Sequence, residues 1–173
     1  MPPQARPPVQ LRPGRASDTA AILEMWDGAV AWMVARGQTG QWGSEAASAR
    51  PGTPEMVVEW AEGSGLTVAE LAGTLVGVSV VTGSHPDDVS DVPCQESYLL
   101  FVLSSRDHAG SGIGARLVGR AAADARLSGS EVLRVDCWAG APGLVSWYER
   151  QGFERAATVT LGDWQGQVLE MWL

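Results

Sequence analysis

Cysteine is scarce in this chain. The two cysteines among 173 residues, Cys94 and Cys137, are too few for a disulfide scaffold and form no metal-type cluster, so reduced thiols and no metal site are expected. Long apolar runs are also missing. No window approaches the ~20 residues needed to cross a bilayer, and the Pro-rich start lacks a signal-peptide core, so the expectation is a cytoplasmic protein without a membrane partner. Positive charge is short: 12 Lys and Arg face 20 Asp and Glu, a net charge of −8. Such a surface repels phosphate backbones, which argues against nucleic acid as partner. Phe occurs only twice but Trp eight times, so any aromatic pocket wall is expected to be tryptophan. What remains is 45% hydrophobic and 18% charged, the balance of a globular protein of one ordinary domain. Neither an internal repeat nor a linker divides it.

Met1 to Pro8 reads as a flexible tail, leaving residues 9–173 as the domain. Val9 to Arg12 suits a short strand. Ser17 and Asp18 are N-cap candidates for a helix running towards Arg36, with Ile22, Trp26, Ala29, Val30 and Met33 on one side. Gln38 to Gly52 reads as a loop. Thr53, as cap, and Pro54 open a second helix that ends near Gly63. Leu66–Leu71 and Leu75–Thr82 form a hairpin across Ala72-Gly73-Thr74. Gly83 to Gln95 is a second long loop. Later, Val132–Trp138 reads as a strand and Pro142–Gln151 as a short helix. Thr158–Leu161 and Val168–Leu173 make a closing hairpin across Gly162–Gly166. The order β-α-α-β-β-β-α-β-α-β-β predicts an α/β fold with a mixed sheet and helices on its faces.

The most informative stretch runs from Tyr98 to Ala115. An apolar run through Ser104 reads as a buried strand. A turn holding Gly110, Gly112 and Gly114 follows, and then Ile113, Leu117, Val118, Ala121, Ala122 and Ala125 recur at helical spacing. A glycine turn that opens a helix suits anion binding, because the first helical amides are unpaired and glycine lets a phosphate approach. Strand, helix and strand here predict parallel neighbours. Gly110-x-Gly112-x-x-Ala115 partly matches a dinucleotide-binding fingerprint, with Asp136 in the ribose-binding place. Ser105 to Ala109 intervene between strand and glycines, however, and a second mononucleotide half is missing.

Ala109-Gly110-Ser111-Gly112-Ile113-Gly114 resembles the glycine signature of the GCN5-related N-acetyltransferases. Leu144-Val-Ser-Trp-Tyr148-Glu-Arg-Gln-Gly152-Phe153 resembles that family's Leu-Tyr-Glu-x-x-Gly-Phe segment, and the two stand in the family's order. The resemblance spans Val9 to Leu173 and implies an acetyl-CoA-dependent N-acetyltransferase fold. It implies acetyl-CoA as cosubstrate, with pyrophosphate held by the turn from Ala109 through Gly110, Ser111, Gly112, Ile113 and Gly114. It also implies a pantetheine arm along Val102, Leu103 and Ser104, and Tyr148 beside the thioester sulfur. Two positions depart from the family pattern. Ala109 stands where the family has Arg or Gln, with Arg106 or Arg116 near enough to supply charge. Ala139-Gly140-Ala141 stands where many members carry Asn.

The implied acceptor is a primary amine of a small molecule or an amino terminus. An ammonium of pKa ~10.4 is the free base at pH 7 in only about one molecule in a few thousand, a burden of roughly 4.6 kcal/mol, so a base is needed. Glu96 before the central strand and His85 in the preceding loop are the candidates, while Asp136 within a strand suits a structural ion pair. Proton transfer from a tyrosine (~10) to a thiolate (~8.5) is uphill by about 2 kcal/mol, so Tyr148 suits a hydrogen-bond donor to sulfur. Cys137 has no His or helix start beside it and reads as a core residue. Trp42 suits either the acceptor pocket or the core. A non-catalytic CoA-binding or interaction module of the same fold is the alternative function, and a homodimer stays open as the assembly.

Overall fold

The computed structural model describes residues 8–173; all of the expected tail except Pro8 lies outside them. The elements are β1 (Gln10–Pro13), α1 (Thr19–Val34), α2 (Thr53–Glu62), β2 (Leu66–Leu71), β3 (Thr74–Thr82) and β4 (Glu96–Ser104), followed by α3 (Ile113–Leu127), β5 (Val132–Trp138), α4 (Pro142–Arg150), β6 (Glu154–Leu161) and β7 (Trp164–Trp172). They build one seven-stranded sheet in the order β1-β2-β3-β4-β5-β7-β6. Its one parallel pair is β4 with β5; the other neighbours are antiparallel. The expected element order and mixed sheet are therefore present. A dinucleotide fold needs a run of parallel strands, which this sheet does not have.

Three local expectations are corrected. Asp18 holds the N-cap position of α1, as expected, but its side chain makes no capping hydrogen bond to the helix. A 3-10 turn, Ala16–Asp18, precedes the helix. The Asp18 carboxylate instead accepts both Arg12 Nη atoms and the Arg15 N–H, each at 2.8 Å, which ties β1 to α1 and holds Asp18 below the usual carboxylate range. For α2 the cap is Gly52, in the left-handed region at φ 80°, and Thr53 is already helical. The last hairpin is longer than its apolar pattern: β6 and β7 pair as far as Leu161 with Trp164 across Gly162-Asp163. β6 is exposed along most of its length, so hydrophobicity could not mark its start at Glu154, while backbone pairing to β7 does not need apolar side chains.

Two cores sandwich the sheet. On one face, Ile22, Trp26, Val30 and Val57 of α1 and α2 pack on Val78, Val80, Phe101 and Leu103. The Trp26 ring lies 4.5 Å from Phe101 and stacks on Trp60. On the other face, α3 and α4 bring Val118, Ala121, Val145 and Tyr148 onto Leu99, Leu133, Val135 and Cys137. Helix α3 sits close because Gly77 of β3 has no side chain. A Cβ there would stand 2.6 Å from Ile113 Cγ2 and 3.0 Å from Leu117 Cδ1.

The centre of the sheet opens. Val80 pairs with Phe101 but Val81 with Leu99, leaving Leu100 as an unpaired bulge in β4. β4 meets β5 only at Glu96–Val132, Ser97–Leu133 and Tyr98–Arg134. A bulge bends its strand, and from Leu99 onward the β5-facing edge of β4 has no strand beside it.

These contacts set opposite outcomes for two glycines. Gly77→Ala should lose about 1–3 kcal/mol through overpacking against α3. Gly28→Ala, in the middle of α1 with nothing within 4 Å, should gain roughly 0.5–1 kcal/mol from lower unfolded-state entropy. Urea unfolding at unchanged m-value measures both.

Candidate active site

The divergence of β4 and β5 creates a cleft of about 910 Å3. Leu99–Ser104 line one wall and Val135–Trp138 the other. One end is the glycine turn, and α4 contributes Trp147 and Tyr148. The α1 side is aromatic, with Trp32, Trp42 and Trp138, as the tryptophan-rich composition predicts. Trp42 also packs edge-on against Trp26 at 5.6 Å, so it serves pocket and core together. The α1–α2 loop is fixed by two bonds to the far side of the sheet. Gln41 Oε1 accepts the Trp138 N–H at 2.7 Å, and Gly40 O accepts Trp164 Nε1–H at 2.7 Å. Added Cβ atoms at Gly40 or Gly140 would run into the Trp138 ring, which holds that indole between two stretches of backbone.

The glycine turn exposes donors. Gly110 and Gly112 take left-handed φ of 76° and 80°, with open space where a Cβ would stand. Gly112 caps α3 without a side-chain contact. Arg116 donates to Gly112 O at 3.1 Å, while among the described residues the amides of Gly112 through Ala115 have no backbone acceptor. A helix start with vacant N–H groups favours an anion. Ala109, Gly110, Gly112, Ile113 and Gly114 line the cleft. Ser111 does not; its hydroxyl bonds His108 O at 2.5 Å. Gly114 has a further reason for being small, since its Cβ would meet Trp147 Cζ2 at 3.0 Å. Arg106 lines the cleft beside the turn and stacks on Trp32 at 3.8 Å. Arg116 is not part of the cleft wall.

Tyr148 is 4% exposed, and burial pushes its hydroxyl well above the usual phenol range. It packs edge-on against Trp147 and Phe153 at 4.9 and 5.6 Å. Cys137 sits in the same cluster, and burial pushes its thiol up to about 12. The next residue back along β5, Asp136, faces the opposite side of the sheet. Its Oδ1 accepts the Tyr98 hydroxyl at 2.5 Å, and Tyr98 is fully buried. The expectation of an ion pair at Asp136 is not met: among the described residues it has no cationic partner. Desolvation, rather than an ion pair, sets its charge and holds the carboxyl above its usual range.

The two candidate bases do not reach this cleft. Glu96 Oε2 lies 3.1 Å from Arg134 Nη1, and Glu96 Oε1 lies 3.5 Å from His85 Nε2. Arg134, 2% exposed, also donates to Ser90 O at 2.9 Å and faces Glu170 at 3.3 Å. His85 bonds Asp91 at 2.9 Å and Pro86 O at 2.8 Å. This network pins the 83–95 loop to the start of β4, where the strands are still paired. Glu96 is thus a structural anchor, because its carboxylate is held by a buried guanidinium.

The sequence model of the Acetyltransferase (GNAT) family matches residues 30–153. The chain belongs to the GNAT acetyltransferase family. Among curated proteins no sequence relative matches. The fold of this GNAT chain is similar to PaiA N-acetyltransferase from Thermoplasma acidophilum, solved with coenzyme A: TM-score 0.75, 16% identity, 96% of this chain and 99% of that one covered. A GNAT acetyltransferase from Listeria monocytogenes gives TM-score 0.74 at 18% identity, with 95% of each chain covered. The yncA protein from Salmonella typhimurium, solved with its cofactor acetyl-CoA, gives 0.68 at 19% identity, covering 95% of this chain and 94% of that one.

In this GNAT chain the thiols should differ in reactivity. Cys137, 1% exposed with its thiol near 12, should resist Ellman's reagent at pH 8 until denaturant is added, while Cys94, partly exposed, reacts in the native state. Thiolate is the reactive form, so rapid native labelling of Cys137 would contradict its reading as an unreactive core residue.

Proposed function

We propose that this protein is an acetyl-CoA-dependent N-acetyltransferase that moves acetyl directly to a primary amine of a small cationic molecule or an amino terminus. The observation that carries the reading is the open β4 edge beside a helix start with vacant amides, within one cleft. Acetyl-CoA fits these features: the diphosphate suits the vacant amides of Gly112, Ile113 and Gly114 in the Gly110 to Gly114 turn, and the pantetheine amides suit the unpaired backbone of Val102 to Ser104. Arg106 adds the positive charge that Ala109 cannot. The acetyl-CoA and coenzyme A complexes of the similar folds support the same ligand.

Acetyl-CoA supplies an acetyl group activated as a thioester. Tyr148 supplies a hydrogen bond where negative charge develops on sulfur. Because its hydroxyl is held above the usual phenol range by burial, it stays protonated across neutral pH and donates without ionising. A contact that strengthens in the transition state raises kcat rather than affinity. The net charge of −8 favours a cationic acceptor.

Acetyl-CoA at about 100 times its Kd should stabilise the fold by about 2.7 kcal/mol, read as a rise in Tm. NAD should produce no rise; the reverse pattern would overturn the assignment. Gly112→Asp should fold with a modest loss of stability, since φ 80° strains any side chain, Asp less than most, while nothing stands within 4 Å of the new Cβ. Its carboxylate would repel the diphosphate, so calorimetric titration should show acetyl-CoA affinity reduced at least about tenfold. Undiminished affinity would make the turn merely structural. Tyr148→Phe should lower kcat by roughly 10²-fold with acetyl-CoA affinity within about threefold. A kcat within about threefold of wild type would assign Tyr148 to packing.

A further inference from the structure

We propose that Asp136 is the group that receives the acceptor's proton, with Tyr98 as its positioning residue. This rests on the transferase reading above. Asp136 lines the cleft on the α1 side of the sheet, with Trp138 two residues along the same face. Tyr148 belongs to the cluster on the α3–α4 side. A group bound between the splayed strands would therefore have a carboxylate on one face and a phenol donor on the other. An amine arriving through the Trp32–Trp42 side meets the carboxylate first.

The carboxylate is prepared for this role by its neighbours. The Tyr98 hydroxyl holds Oδ1 at 2.5 Å, and Oδ2 has no side-chain partner among the described residues. Among the described residues no cation pairs with it. The charged groups acting on the Asp136–Tyr98 pair are Asp88 from the 83–95 loop and Arg134 from β5; Cys137 of β5 and Tyr148 of α4 are in turn raised by Asp136. β7 places Val168 opposite Asp136. Arg134 is occupied by Glu96 and Glu170. Desolvation and Asp88 raise the carboxyl, and the Tyr98 hydrogen bond lowers it. A carboxylate moved towards the working pH is a better proton acceptor than an ordinary one.

The step balances. The ammonium gives one proton to Asp136 Oδ2 and becomes the free amine. The nitrogen lone pair forms the C–N bond while the carbonyl π pair moves to oxygen. As that pair returns, the C–S bond breaks and sulfur takes the bonding pair. The nitrogen's surplus proton reaches the sulfur by way of solvent, beside the Tyr148 donor. Asp136 then releases its proton to solvent. The sum is an ammonium and a thioester giving an amide, a thiol and one proton.

Two measurements on the full chain test this. The first is a 13C carboxyl titration by NMR, with Asp136→Asn assigning the resonance. Asp136 should titrate above the other aspartates, and Tyr98→Phe should move it higher still, because a hydrogen bond to the charged form is lost. The second is thiol release from acetyl-CoA with tryptamine, spermidine and tri-alanine as acceptors. With any that reacts, kcat should fall about 10²-fold or more in Asp136→Asn, with acetyl-CoA affinity within about threefold and the acidic limb of the pH profile gone. Tyr98→Phe should keep the alkaline plateau and shift the acidic limb to higher pH. An Asp136 resonance in the ordinary carboxylate range would overturn the proposal. So would an Asp136→Asn kcat within about threefold of wild type, or equal loss of affinity and activity. If wild type acetylates none of the three amines and acetyl-CoA gives no Tm rise, the transferase reading fails and the proton-acceptor role falls with it. If acetyl-CoA binds and none reacts, the titration decides the role of Asp136.

Discussion

The structure depends on where the backbone hydrogen bonds between β4 and β5 stop. Three register pairs join these strands, ending at Tyr98 and Arg134. A buried backbone donor or acceptor left unpaired costs on the order of 1–3 kcal/mol, so an open edge at the centre of a sheet persists only if the surroundings enforce it. The bulge at Leu100 turns β4 away. The Glu96–Arg134–Glu170 network clamps the strands at their paired end. Trp147 and Tyr148 of α4 stand at the open end. The edge that results can accept an extended, amide-bearing ligand as an added strand.

The same divergence separates charge environments. Side chains alternate along β5, so Cys137 falls into the apolar cluster under α4 while Asp136 faces the aromatic side. Burial acts on both. It pushes the thiol up to about 12, and it raises the carboxyl, whose charge is stabilised by the Tyr98 phenol and a backbone hydrogen bond rather than by a cation among the described residues. Glu96, forty positions earlier on the paired section, has a guanidinium at 3.1 Å and serves as an anchor. Two carboxylates on adjacent strands thus differ in role because one lies before the opening and the other beyond it.

Much of this was legible in the sequence. The glycine turn, the helix that carries Tyr148 and the strands β2 and β5 lie where periodicity put them, because those elements rest on local rules: alternation, helical spacing and positive φ at glycine. Two errors are local: Asp18 and Thr53 have cap chemistry, but the nearby Arg12 guanidinium claims the Asp18 carboxylate and Gly52 takes the cap position ahead of Thr53. Glu96 reads as a candidate base just ahead of the central strand, but it is the first residue of β4 and its partner Arg134 is 38 residues away. The Tyr98–Asp136 bond has the same separation and no local signal. Cleft residues such as Trp32 and Trp138 were missed for a related reason: α1 reads as an amphipathic helix and β5 as a strand, and neither pattern says which side chains end beside the opening.

Amide hydrogen exchange of the full chain, with and without saturating acetyl-CoA, tests the open edge most directly. Exchange reports the opening and hydrogen-bonding of individual backbone groups. The account predicts that ligand slows exchange selectively across 99–104 and 110–115, with little change in the already paired β2–β3 hairpin. Binding that leaves both segments unchanged would contradict it, because the unpaired edge and the vacant helix start would then not be where the ligand is held.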